Sequence, residues 1–365
     1  MKDFKINTIL ILIIVVLTSC LKEDELNLPF NSFEPQEIND GIITSHPSAE
    51  NIDSIALVKI YENITVDENF WTLKSMLILR NGKLIAENYF KDKNDITNKD
   101  LVWSCTKQFV GVLTGIAIDE GMIESIDDPV SKYMPEEFAN HPDKANITIK
   151  NMLTMQSGID YNNDGSSGQT DKLLRQIPDN MTDFILDRPL IIEQGTKFHY
   201  NDGNPNLISA MLQKLAKKPT DEWADEVLFS KIGFKNYTWS RYKDGITLGG
   251  FGIKTTPREL AKLSIMVANN GEYNNEQIVS SDWITEMTAQ KANVENSDYA
   301  FGYFWWINTE KNIVQMWGVG GQFVFIVPDK NLIIITTGLP NIQDENQLNI
   351  DNTLEYVERI VNISY

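Results

Sequence analysis

The sequence predicts an α/β (α+β) protein, with one antiparallel sheet flanked by helices and an all-helical region inserted between its strands. Three observations predict it. Strand signals fall in two clusters, at 76–90 and 301–336. Helical segments broken by Asn, Asp, Gly and Pro fill the stretch from about 121 to 240, and Asn346–Val361 closes the chain as an amphipathic helix. An order of strands, helices, strands and helix puts strands from both ends of the chain into one sheet. The expected divisions are residues 1–19, 20–50, 51–120 (first part of the α/β domain), 121–240 (helical) and 241–365 (second part).

Composition bounds the class. At about 150 residues per domain, 365 residues give a prior of roughly two domains. With 42% hydrophobic and 23% charged residues the chain is neither disordered nor fibrous, and it is long enough to bury a large core. Its net charge of −19 repels phosphate backbones, which argues against nucleic acid as a partner.

The first residues stand apart from that body. Lys2 and Lys5 precede an unbroken apolar run, Ile9 to Leu17. Such a run is far shorter than the roughly 20 residues that span a bilayer and fits the core of a signal peptide. Its end, Leu17-Thr18-Ser19-Cys20, resembles the lipobox of bacterial lipoproteins, which implies cleavage after residue 19, a lipid on Cys20 and anchoring to the outer membrane. Lys22-Glu23-Asp24 resembles the acidic signal that sends some lipoproteins to the cell surface. With Cys20 lipidated, Cys105 has no partner, so an exported protein without disulfides relies on its core. Residues 20–50, rich in Glu, Asp, Asn, Pro and Ser, are expected to form a flexible tether.

The remaining elements follow in order. Met76–Arg80 and Lys83–Phe90 flank Asn81-Gly82 and predict a β-hairpin. Residues 104–120 carry small and apolar side chains at helical spacing, with Gly121 as the stop. Strand patterns return at Phe301–Ile307, Ile313–Trp317, Phe323–Val327 and Leu332–Thr336, the last two joined by a turn at 328–331.

Candidate chemistry narrows by exclusion. There is no Gly-x-Ser-x-Gly elbow, no His or Cys pair at metal spacing, and no Gly-x-Gly-x-x-Gly after a strand. What remains is Ser104-Cys105-Thr106-Lys107. At a helix start this pattern sets Ser and Lys one turn apart on one face, with the positive helix end favouring an alkoxide. Lys107 could accept the serine proton if burial kept its amine partly neutral. The same residues equally describe a helix with a capping Ser and a solvated Lys. The pattern recurs at Ser240-Arg241-Tyr242-Lys243, where the neighbouring Asp244-Gly245 points to a connection instead. Cys105 fits a small buried position.

Trp103–Gly121, Asp127–Val130, Tyr133–Glu136, Ile147–Ile159, Gly195–Asp202, Gly249–Ala261 and Trp317–Gln322 together resemble the serine β-lactamase family, within its class C β-lactamase, D-alanyl-D-alanine carboxypeptidase and esterase branch. The resemblance spans roughly residues 70–340. It implies a site between a helical and an α/β region, with no metal or organic cofactor. It makes Ser104 the acylated nucleophile, Lys107 its proton partner and Tyr200 the tyrosine of a Tyr-x-Asn element. The oxyanion hole would combine the Ser104 N–H with one near Gly320 or Gly321. Tyr161-Asn162-Asn163 is the rival tyrosine.

Two departures from the family pattern bear on substrate. Asp202 stands where the element has Asn, which favours a cationic Lys107, moves base work toward Tyr200 and removes an amide donor. Trp317 stands where the Lys of a Lys-Thr-Gly element would face a substrate carboxylate. The expectation is a serine hydrolase acting on a small ester, amide or D-amino-acid peptide. The alternatives are β-lactamase or D,D-carboxypeptidase action on cell-wall peptides, and a non-catalytic surface binding protein of the same fold. For Trp305 and Trp306 the expectation is packing in the core or on the sheet face.

Overall fold

The computed structural model describes residues 27–162, 170–176, 179–341 and 347–365. The leader and Cys20 lie outside these. Among the described residues no helix is long and apolar enough to cross a membrane.

The hairpin forms as its turn dictates. Strands β1 (Leu73–Arg80) and β2 (Lys83–Tyr89) pair antiparallel around Asn81 and Gly82, both at positive φ, as a two-residue turn between right-twisted strands requires. The later cluster gives β3 (Ala292–Asn293), β4 (Tyr299–Phe301), β5 (Trp306–Asn308), β6 (Ile313–Gly318), β7 (Gln322–Val327) and β8 (Leu332–Gly338). Among the described residues they join in one sheet of order β2-β1-β8-β7-β6-β5-β4-β3. β1 pairs with β8 from Leu73↔Gly338 to Arg80↔Leu332, so the two ends of the chain do share the sheet.

Its inner strands β7 and β8 are buried along their whole length and mostly apolar because both faces are covered. Leu77, Leu79, Ile333 and Ile335 face one core, while Met76, Ile78, Leu332 and Ile334 face the other. The second core is closed by α1 (Ser54–Val66) and α5 (Ile350–Asn362), capped by Asp53 and Asn349. The first is closed by α2 (Thr106–Asp119), α3 (Gly203–Ala216) and α4 (Pro257–Ala268) together with the shorter helices between 135 and 232. α2 is buried on all sides along most of its length, and Gly115 leaves the space that Trp283 fills.

Three expectations are corrected. The strand predicted at Phe301–Ile307 is two strands, β4 and β5, reversed at 302–305. A Cβ at Gly302 would lie 2.3 Å from the Met287 carbonyl, and Phe304 is held at φ +65° by Gln108 on its carbonyl and by its own N–H on the Leu153 carbonyl. Tertiary contacts thus override an aromatic run of high strand propensity. The last helix starts at Ile350, not Asn346, because the Asn349 side chain accepts the Asp351 and Asn352 N–H groups and fixes the start there.

The third concerns the tether. Residues 27–50 lie against the domain: Phe33 is buried, and the Leu28 N–H donates to the Phe90 carbonyl. Arg258 clamps the segment. It pairs with Glu87 of β2 at 2.6 Å and Asp40 at 3.0 Å, and also donates to the Gln36 carbonyl. A guanidinium this buried is tolerated because its donors are matched by acceptors.

Candidate active site

The turn Trp103–Cys105 leads into α2, and its shape aims Ser104. Trp103 adopts φ +49°, a conformation a bulky residue holds only when its surroundings enforce it. Its indole N–H donates to the Pro340 carbonyl at 2.8 Å, and the Val102 N–H to the Ile253 carbonyl. Cys105 is fully buried, donates to the Gln322 carbonyl at 3.2 Å, and has its thiol pKa pushed up by burial. That thiol ties the turn to β7.

Lys107 lies one turn on, 1% exposed. Its Nζ donates to Ser104 Oγ at 2.9 Å and to the Gly250 carbonyl at 2.7 Å, and forms an ion pair with Asp202 Oδ1 at 2.5 Å. Two hydrogen-bond acceptors and a carboxylate charge around one amine favour its cationic form. Burial alone would lower its pKa; the Asp202 charge, aided by Tyr200, outweighs that and holds it above the ordinary lysine value. Solvated Lys107, one of the two local readings of the motif, is thereby excluded.

The other groups come from the approach to α3. Asp202 occupies the N-cap but makes no capping bond and is turned to Lys107 instead. Beside it, Tyr200 lies with Lys107 Nζ 4.9 Å from its ring centre and borders the same cavity as Ser104. Burial pushes the Tyr200 phenol up, partly offset by Lys107, so the phenol is neutral at physiological pH. The rival Tyr161 is fully buried, packs against the Gly203 backbone and does not border the cavity. Ser240–Lys243 forms a connection, not a helix start.

Sequence reading had given Gly250 no role. It places the second acceptor of Lys107, held by Asn206 Oδ1, which accepts both the Gly249 and Gly250 N–H groups. A Cβ at Gly250 would fall 2.8 Å from the Asp202 Cβ. Gly250→Ala is therefore expected to push Asp202 off Lys107 and lower kcat about 10²-fold with KM nearly unchanged. Steady-state kinetics on a folded variant check this.

A cavity of about 350 Å³ opens at Ser104. Tyr200, Trp306, Trp317 and Phe323 form its aromatic side. Gly318, Val319 and the segment Gln347–Ile350 complete it, and among the described residues that border it no side chain is charged. Trp317 stacks on Trp306 at 4.2 Å, and Trp306 on Tyr200 at 5.6 Å. Trp305 is core, as expected, but Trp306 is a cavity wall, brought there by the reversal at 302–305.

The glycines expected at the oxyanion hole are differently placed. Gly320 and Gly321 do not border the cavity; their positive φ angles, +80° and +86°, turn the chain between β6 and β7. The Gly320 N–H donates to Gln347 Oε1 at 3.0 Å, and a Cβ at Gly321 would strike Leu348. Gly318 and Val319 are the backbone edge nearest the cavity. The glycines were named from the motif alone, which does not show where the turn points.

The family model for Beta-lactamase matches residues 75–354. The chain belongs to the beta-lactamase family. Within it, the 6-aminohexanoate-dimer hydrolase of Paenarthrobacter ureafaciens is 24% identical over 282 residues, 72% of this chain and 71% of that one. Among solved structures, a putative 6-aminohexanoate-dimer hydrolase from Bacillus anthracis superimposes with TM-score 0.72 at 19% identity, covering 94% of this chain and 92% of that one. EstCE1, a hydrolase with promiscuous acyltransferase activity, gives 0.67 at 15%, covering 87% and 100%. The fold predicted from sequence is the beta-lactamase fold, and this family of serine hydrolases is where the chain sits.

Proposed function

We propose that the protein is a serine hydrolase that forms an acyl-enzyme on Ser104 and cleaves a small, neutral amide or ester. The observation that carries this is the environment of Lys107, two acceptors and a carboxylate, one of the acceptors being Ser104 Oγ. Neutrality of the substrate is supported by a cavity bordered by four aromatic rings and, among the described residues, by no cation. An amide fits the name of the hydrolase that resembles it over 72% of the chain.

In this reading Lys107 relays. As the Ser104 hydroxyl proton passes to Nζ, one ammonium proton passes on to Asp202, and Oγ attacks the carbonyl carbon beside a cation. The negative charge forming on the substrate oxygen meets the Ser104 N–H at the head of α2 and the Gly318–Val319 backbone. Tyr200, still protonated, gives its proton to the leaving nitrogen or oxygen as that bond breaks, and recovers one from Asp202 through Lys107. Water then releases the acyl group by the same groups in reverse. In this reading base work rests on the Lys107–Asp202 pair and not, as expected from the sequence, on Tyr200, because burial raises the Tyr200 phenol and keeps it protonated to serve as the acid.

A short-chain nitrophenyl ester, a matched anilide and a chromogenic cephalosporin, assayed side by side, test the substrate class. The cephalosporin carries a carboxylate that no cavity cation meets, so its kcat/KM is expected at least about 100-fold below that of the ester. A faster cephalosporin overturns the neutral-substrate reading in favour of β-lactam turnover. Failure of all three, with no fluorophosphonate adduct, favours a binding protein. We also propose that residues 1–19 are removed on export and that Cys20 anchors the chain by lipid, which palmitate labelling of wild type and Cys20→Ala checks.

A further inference from the structure

The cavity and the N-terminal segment meet the sheet at the same end. There β1 starts at Leu73, opposite Gly338 at the end of β8, and β2 finishes at Tyr89. Gly318, a cavity wall and the last residue of β6, pairs with Gln322 at that end, and a Cβ on Gly338 would fall 2.0 Å from the Gly320 carbonyl oxygen. Val319, 37% exposed, brings the cavity wall to the surface there. α5 begins at the same end, with Ile350 on the cavity and Tyr356 donating to Asp67, the residue after α1. The N-terminal segment docks beside these groups. Asn27 Nδ2 donates to the Thr65 carbonyl in the last turn of α1 at 3.1 Å, the Leu28 N–H donates to the Phe90 carbonyl just after β2, and Phe30 stacks on Tyr61. The other end of the sheet holds Arg80, which donates to the Tyr365 carbonyl, and the start of α1, where Ile52 bridges Ser364.

Cys20 stands seven residues before Asn27. A fully extended chain covers at most about 3.6 Å per residue, so a lipid on Cys20 stays within about 25 Å of this docking point. A folded body of this size is about 50 Å across. So short a leash cannot turn the opposite end to the membrane. Neighbouring strands are about 4.8 Å apart, so the four spacings from β2 to β6 put the cavity only about 19 Å to the side of the docking point. We infer that the end of the sheet carrying the Ser104 cavity is a membrane-facing surface, and that its partner is a lipid bilayer toward which the cavity opens. This rests on the lipid-anchor reading above and is independent of the hydrolase reading. A net charge of −19 gives no attraction to anionic headgroups, so the leash, not electrostatics, sets the orientation.

The test sets one thiol-reactive dye at a time on the lipidated full chain, bound to phosphatidylcholine vesicles that contain a lipid with a quencher on its headgroup. Val66→Cys, at the end of α1, and Val319→Cys, at the cavity, report on the proposed surface; Ile55→Cys, at the start of α1, reports on the far end. All three positions are exposed, while Cys105 is buried and stays unlabelled. Positions 55 and 66 stand about 16 Å apart along the helix, so quenching at 66 and at 319 is expected to exceed that at 55 by at least about 2-fold. Equal quenching at the three sites, or the strongest at 55, overturns the inference. So does quenching at 66 with none beyond the level of 55 at 319, the pattern of a body lying on its side. Cys20→Ala is expected to lose vesicle binding and quenching together. A wild-type chain that takes no palmitate label removes the anchor reading and this inference with it; a labelled chain with the wrong quenching order removes the inference alone.

Discussion

Ser104→Ala is expected to lower kcat/KM on any turned-over ester by at least about 10⁴-fold and to erase the fluorophosphonate adduct in intact-protein mass spectra. The loss is chemical, not structural. The substitution removes one oxygen bordering a cavity, and water can take its place as an acceptor of Lys107. The melting temperature should therefore stay within a few degrees of wild type. A Ser104→Ala protein that kept its adduct would move the nucleophile elsewhere. Cys105, buried and with its thiol pKa pushed up, gives no alternative.

The second large effect lies in the pair beside it. Lys107→Met leaves Asp202, 4% exposed, without its cation, and an uncompensated buried charge costs about 3–5 kcal/mol. Activity should fall at least about 10³-fold in the same variant, because relay and cation go together. Asp202→Asn separates the two roles by pH. In wild type Lys107 has its folded pKa above the unfolded value, so its contribution to stability is complete below about 10.4 and declines as pH rises through the folded pKa. With Asn at 202 burial is the dominant influence and pulls the folded pKa below the unfolded one, so the unfolded chain binds more protons between them. Stability attributable to Lys107 then rises with pH up to about 10.4. Urea unfolding of both proteins from pH 7 to 10 reads the difference; parallel curves would mean that Asp202 does not control the Lys107 proton.

Local rules made much of this legible. Asn81-Gly82 specifies its turn with two residues, and the runs at 313–318 and 322–338 are apolar enough to read as doubly covered strands. Ser104 and Lys107 are three residues apart, so one helical turn suffices to join them. Tyr200 and Asp202 could be named only because a motif resembles a family, since nothing in their own neighbourhood requires them to meet α2. What escaped depends on partners remote in sequence. Arg258 meets Glu87 and Asp40, 171 and 218 residues away, and so the segment holding Asp40 passes for a loose tether when read alone. Gly250 acquires its role from Lys107, 143 residues earlier, and Gln347 from the direction in which the Gly320 N–H points. Trp306 reaches the cavity only because Phe304 takes a backbone conformation that its residue type disfavours.

The pairing of β1 with β8 also sets a timetable. Arg80, at the end of the hairpin's first strand, bonds opposite Leu332, so a chain made from its N-terminus must wait for some 250 further residues before that edge is closed. At typical synthesis rates of about 5–20 residues per second this is roughly 13–50 seconds. Ser104 emerges early in that interval, but apart from Tyr200 its cavity walls come from residues 306–350. A growing chain thus carries the Ser104–Lys107 turn long before most of the chamber it opens into exists, and that chamber closes only with the last fifth of the polypeptide.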